Sequence, residues 1–175
     1  MIQCISRSGL RYTAGMKLAM CLVACVACHR QAAAPIAAPT APRPMPHDAA
    51  GQIKQTIDDW RKAYEARDVD ALESLYTHDA DTLLVSDGVA FIGWPSVDPA
   101  LRDRIANTRE VHIRLKEVQV SALAPTAAAA IATMTRDSGD GTTTIHEYGA
   151  LTLVLQKTDA GWRIVAEHYS YRRSS

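Results

Sequence analysis

Gly161-Trp162-Arg163-Ile164-Val165-Ala166-Glu167-His168-Tyr169-Ser170 decides how the rest of this chain is read. Asp159-Ala160-Gly161 makes a turn before it, and the alternation that follows predicts the last strand of a sheet. At strict period two, Trp162, Ile164, Ala166, His168 and Ser170 share one face, while Arg163, Val165, Glu167, Tyr169 and Tyr171 share the other. The first face passes from apolar to polar along its length. That gradient suits the lining of a half-open apolar pocket better than the middle of a sealed core.

Working back from this strand, everything after Arg109 reads as β: Val111 to Val120, Ala127 to Arg136 and Thr142 to Gln156, with turns at Pro125 and at Asp137-Ser138-Gly139-Asp140-Gly141. Val111, Ile113 and Leu115 alternate with His112, Arg114 and Lys116, and either set could face a partner subunit. Upstream, Asp98-Pro99 predicts a cap and a first-turn proline for a short helix ending near Asn107. Ser86-Asp87-Gly88 between two apolar runs predicts a hairpin over residues 81–92. Asp70 with Glu73 resembles a capping box that opens a short helix carrying Leu72, Leu75 and Tyr76. Ile53, Ile57, Trp60 and Tyr64 recur at four, three and four, which marks a longer amphipathic helix. The expected fold class is therefore α+β, a curved, mostly antiparallel mixed sheet of about six strands forming a cone, with three helices on its concave face.

The first residues belong to something else. Arg7, Arg11 and Lys17 precede the apolar run Leu18 to Cys25, a basic region followed by a hydrophobic region too short for the roughly 20 residues of a spanning helix. Residues 1–24 are expected to be a signal peptide. Leu22-Val23-Ala24-Cys25 resembles the bacterial lipobox, which implies a diacylated Cys25 and export to the periplasmic face of a bacterial membrane as a lipoprotein. Cys28 is the competing acceptor, but it would put Cys25 where that motif has a branched apolar residue. Residues 25–50 would then be the lipidated N-terminus and a tether, because Pro35, Pro39, Pro42, Pro44 and Pro46 among alanines bias the chain toward extended polyproline II. Residues 51–173 remain as one domain. All four cysteines, Cys4, Cys21, Cys25 and Cys28, precede residue 51, so the domain has no thiol chemistry, disulfide or cysteine-based zinc site. With 19 basic and 19 acidic residues, no overall field favours nucleic acid.

Trp60 to Leu75 with Asp68-Val69-Asp70-Ala71-Leu72, then Tyr76-Thr77-His78-Asp79-Ala80, Gly93-Trp94, Gly161-Trp162-Arg163-Ile164 and His168-Tyr169-Ser170 resemble, in order and spacing, the SnoaL-like branch of the nuclear transport factor 2-like superfamily. The resemblance spans the domain and implies a cone with an internal pocket, commonly dimeric. Members of that superfamily include isomerases, dehydratases, cyclases, epoxide hydrolases and non-catalytic binding or assembly domains, so fold does not settle function.

Two residues are candidates for acid–base work. Asp79 stands where the family often has an acid after the second helix, and His168 is in phase with Trp162 on the central strand. For each, the alternative is structural: a turn acid bonded to backbone, and a hydrogen-bonded core histidine. His146 and Tyr148 can line a pocket together, whereas Glu147 points the other way. The position two before His168, often histidine in relatives, is Ala166, and no His-x-His or carboxylate cluster replaces it; no metal or cofactor is expected. No Gly-x-Ser-x-Gly elbow supports Ser170 as a nucleophile.

The expected pocket is lined by Trp60, Tyr64, Tyr148, Trp162, His168 and Ser170. Binding of a small, largely apolar ligand at the cell envelope is favoured by the sparse polar inventory and the tether. A cofactor-independent lyase, isomerase or hydrolase using His168 and Asp79 is the alternative, and an assembly module without ligand is a third. A homodimer formed through the outer face of the long strands is expected.

Overall fold

The computed structural model describes residues 47–174; Cys25, the leader and most of the tether lie outside them. Helix α1, His47–Ala66, carries Ile53, Ile57, Trp60 and Tyr64 on one buried stripe, as the 3.6-residue periodicity requires. It opens four residues before the expected domain boundary, because Ala49 and Ala50 are good helix formers and Ala49 is buried in the core. Helix α2, Val69–Glu73, is capped by Asp68, whose side chain accepts from the Ala71 N–H at 3.0 Å. The capping acid is thus two residues earlier than Asp70.

Strands β1, Leu83–Ser86, and β2, Val89–Ile92, form the expected hairpin. Asp87 and Gly88 both have positive φ, 53° and 77°, the backbone a two-residue type I′ turn demands and one that Asp-Gly supplies cheaply. Helix α3, Trp94–Ala106, starts after Gly93, a full turn before the expected cap. Pro95 takes the first-turn position, Pro99 lies inside the helix, and Asp98 instead pairs with Arg102 at 2.7 Å one turn on.

Four long strands complete the chain: β3, Glu110–Ala124; β4, Ala127–Gly139; β5, Thr144–Thr158; and β6, Gly161–Arg173. The sheet order is β2-β1-β6-β5-β4-β3, antiparallel throughout except where β1 runs parallel to β6. The result is the six-stranded, open, mixed sheet of an α+β domain, with three helices. Bulges in β3 beside Glu117, whose φ is 55°, and in β6 interrupt the ladders, which increases local twist and bends the strands. No helix among the described residues is long and apolar enough to cross a membrane.

The β6 bulge overturns the expected phase of the last strand. Val154 pairs with Ala166 but Leu155 pairs with Ile164, so Val165 is an extra residue on β6. One inserted residue inverts every side chain beyond it. Trp162 and Ile164 point into the core as expected, but from there on Glu167 and Tyr169 are buried, while His168 and Ser170 are exposed. Two further expectations about faces fail. On β5, Leu151, Leu153 and Leu155 fix the buried phase, which takes Glu147 inward and leaves His146 and the half-exposed Tyr148 outside. On β3, Val111 and Ile113 are buried within the same core as α1, so the apolar members of that alternation are not available to a partner subunit.

Candidate functional site

Six of the residues expected in one pocket separate into two groups. Trp60, Tyr64 and Trp162 lie inside; Tyr148, His168 and Ser170 lie on the outer sheet face. Asp79 is exposed in the turn before β1, where its carboxylate accepts from the Thr82 hydroxyl at 3.2 Å and its carbonyl from the Trp94 N–H at 3.0 Å. It is a turn acid. His168 lies in a wide surface depression with Asp87, Gly88, Ser170 and Arg173. Asp79 is not among the residues lining that depression.

The chemistry that does converge is centred on Glu167, only 1% exposed. Trp60 donates its indole N–H to Oε2 at 3.0 Å, the Tyr76 hydroxyl donates to the same oxygen, and Arg104 donates from Nη1 to Oε1 at 3.0 Å. The same Arg104 nitrogen also reaches the Tyr64 hydroxyl at 2.5 Å. A carboxylate this deep is tolerated only when donors and an opposite charge surround it, and three elements supply them to β6: α1, the segment after α2, and α3. The segment carrying Tyr76 is held to β6 by the Thr77 N–H to Ile164 carbonyl bond, 2.9 Å, and its reciprocal from Ile164 to Leu75, 2.8 Å.

A second buried pair lies on the same inner face. Arg136 of β4 bonds Glu147 of β5 through Nε at 2.7 Å and Nη2 at 2.6 Å, and Arg173 approaches the other carboxylate oxygen at 3.2 Å. The Arg136 guanidinium stands 5.1 Å from the Tyr169 ring centroid, and Tyr169 stacks on Tyr171 at 4.9 Å. The hydroxyl of Tyr169 is buried without a hydrogen-bond partner among the described residues.

Between the two pairs is a small cavity of about 50 Å³, lined by Tyr64, Arg104, Ile105, Thr108, Val111, Arg136 and Ser138. Its volume suits a headgroup or other small group rather than the whole of a drug-sized ligand, for which clefts of roughly 300–1,000 Å³ are usual. Larger hollows exist, such as one of about 680 Å³ between Lys54, Arg61, Arg114 and Lys116, but these are open surface grooves with well-solvated charges. This partly open cavity is the narrowest of the hollows and the one where buried apolar and polar groups meet, and it is the candidate site. Among the described residues no cluster of three or more His, Cys, Asp or Glu could hold a metal ion.

The phenols titrate late. Burial pushes the Tyr64 and Tyr76 hydroxyls well above their ordinary value of 10.0, and pushes Tyr169 up to about 12. The folded state thus holds protons that the unfolded chain releases, so the stability these groups confer is complete below pH 10 and is lost as pH rises from about 10 toward and beyond 12. The unfolding free energy from urea titrations should fall steeply over that interval, by as much as about 1.4 kcal/mol per pH unit for each phenol involved, and the midpoint with it. A midpoint unchanged between pH 9 and 11.5 would contradict this burial.

Residues 53–174 match the family model described as the SnoaL-like domain. No curated protein matches the chain. Among solved structures, the fold resembles a nuclear transport factor 2-like family protein from Streptomyces avermitilis whose dehydratase activity is a provisional assignment; it is 23% identical, covers 72% of this chain and 97% of that one, and has a TM-score of 0.65. A nuclear transport factor 2-like superfamily protein from Salmonella enterica serovar Typhimurium is 19% identical over 73% of this chain and 94% of that one, with a TM-score of 0.65. A relative of unknown function from Pseudomonas putida is 21% identical over 73% and 89%, with a TM-score of 0.61. At these identities the likeness carries the fold alone.

Proposed function

This chain belongs to the SnoaL-like domain family across residues 53–174, and on that premise we propose that it is an exported, membrane-tethered domain that binds a small, largely apolar molecule at the cavity between α3 and β3–β4. The observation that carries this reading is the meeting of Ile105, Val111 and Tyr64 with Arg104 and Arg136 around one partly open cavity. Apolar walls with a few fixed polar groups are the usual make-up of a ligand site. Binding is favoured over turnover because no carboxylate lines the cavity, and the two buried beside it, Glu167 and Glu147, are each engaged by arginine, whereas a general base must reach the substrate itself. The address rests on the lipobox-like Leu22-Val23-Ala24-Cys25 and the proline-rich stretch after it. Homodimerisation belongs to the same proposal, through the outer face where Ile131 and Tyr148 are exposed.

Cys25→Ser should move the full chain from the membrane to the soluble fraction, since stable anchoring needs two acyl chains. A variant that stayed fully membrane-bound would overturn the lipoprotein reading. The released chain should have a dimer's mass by light scattering; a monomer at micromolar concentration would remove the dimer. In a thermal-shift screen of small apolar molecules, a true ligand should stabilise the released chain and its His168→Ala variant alike, and lose its effect when Val111→Phe fills the cavity. A ligand that needed His168 and ignored Val111→Phe would move the site to the outer face.

A further inference from the structure

The cavity has a charge character that the binding proposal does not use. Arg104 spends only Nη1 on protein partners, leaving Nε and Nη2 without side-chain acceptors among the described residues; Arg136 spends Nε and Nη2 on Glu147, leaving Nη1. Both guanidiniums line the cavity, and their side chains are only 17% and 13% exposed. Their spare donors are therefore fixed and partly desolvated, the condition under which a charge-assisted bond is strongest. Thr108 and Ser138 add hydroxyls to the same wall, that of Thr108 donating to the Arg104 carbonyl at 2.9 Å. The two buried ion pairs beside the cavity, Arg104 with Glu167 and Arg136 with Glu147, balance in charge, while Arg173, which also reaches Glu147, is 58% exposed and screened by solvent.

We propose that this cavity is a carboxylate site: it takes the headgroup of a monoanionic small molecule between Arg104 and Arg136, with the apolar body of that molecule lying toward the opening beside Ile105 and Val111. The inference rests on the small-molecule reading above and gives its ligand a class. Because each lining guanidinium already has a carboxylate partner, the site offers spare charged donors with little net charge, which suits a monoanion better than a phosphate dianion, and about 50 Å³ suits a headgroup of a few heavy atoms. Planar guanidinium forks match the two oxygens of a carboxylate. The rigidity is supplied by the partners: Glu167 and Tyr64 fix Arg104, while Glu147 and the Tyr169–Tyr171 stack fix Arg136.

The test uses the full chain carrying Cys25→Ser, titrated at constant ionic strength with benzoate, its neutral isostere benzamide, and inorganic phosphate, by calorimetry and thermal shift. Benzoate should bind saturably and at least about tenfold more tightly than benzamide or phosphate, the scale of a hydrogen bond to a charged group. Ser138→Leu fills the headgroup space from the sheet side and Thr108→Leu from the helix side, and neither removes a buried charge. Each should weaken benzoate about tenfold or more while the unliganded melting temperature stays close to that of the parent. Equal affinity for benzoate and benzamide would overturn the carboxylate inference and leave the small-molecule reading standing. Phosphate binding more tightly would replace the monoanion with a dianion. No binding of any anion, with a neutral ligand still displaced by Val111→Phe, would also overturn it. Benzoate affinity unchanged in both leucine variants would place carboxylate binding outside this cavity.

Discussion

Glu167→Ala should cost about 3–5 kcal/mol of folding stability, the scale for removing one partner of a buried ion pair and stranding the other. Three groups lose their acceptor together. Arg104 keeps its charge with only the Tyr64 oxygen nearby, and the Trp60 indole N–H and the Tyr76 hydroxyl lose their bonds to the carboxylate. Trp60 and Tyr76 can still bond each other, at 3.0 Å, which offsets a little. Against a typical total of 5–15 kcal/mol, such a loss leaves a domain close to its unfolding threshold. Urea denaturation of the soluble Cys25→Ser chain measures it. Glu167→Gln should lose less, because the amide oxygen still accepts from Trp60 or Tyr76 while Arg104 is no longer neutralised. The double variant Glu167→Met with Arg104→Met should recover much of the loss, since removing both charges removes the stranded one. A Glu167→Ala unfolding free energy within about 1 kcal/mol of the parent would mean that the network is not structural.

That network also marks the boundary of what the sequence could disclose. The long helix was legible from Ile53, Ile57, Trp60 and Tyr64, because a helix keeps its period without tertiary help and these four apolar residues have one face to share. The hairpin was legible from Asp87-Gly88, because the turn geometry is local. Glu147 was legible in principle: it has the parity of Leu151, Leu153 and Leu155, three residues that bury together, and only the pocket-like look of His146 and Tyr148 drew attention to the wrong face. Glu167 was not legible. Val165 is a β-branched residue like any other strand residue, and nothing local says that it will be the bulge that turns Glu167 inward and His168 outward. Arg104 and Arg136 gave no signal either, since each reads as a surface cation on its own element. Their burial depends on carboxylates that come from strands 63 and 11 positions away in the chain.

Gly149→Ala should be the most damaging single methyl that can be added to the sheet. A Cβ built there would lie 1.9 Å from the Ser170 carbonyl oxygen and 2.7 Å from the Tyr171 Cα, and both are backbone atoms of the paired strand that cannot rotate away. β5 and β6 must separate at this point. Overpacking typically costs about 1–3 kcal/mol, and a backbone obstacle places this case at the upper end. The effect should spread, because Gly149 pairs with Tyr171, Tyr171 stacks on Tyr169, and Arg136 stands over both rings while bonded to Glu147 two residues before the glycine. Carboxylate affinity and stability should therefore fall together in Gly149→Ala, unlike in Ser138→Leu. Gly88 provides the control. Its φ of 77° is its requirement, its Cβ would meet nothing within 4 Å, and asparagine tolerates that backbone region. Gly88→Asn should then unfold near the parent urea midpoint while Gly149→Asn fails as Gly149→Ala does. If Gly149→Ala melted with the parent, the close approach of β5 and β6 at Ser170 would be wrong, and with it the placement of Arg136 beneath the cavity.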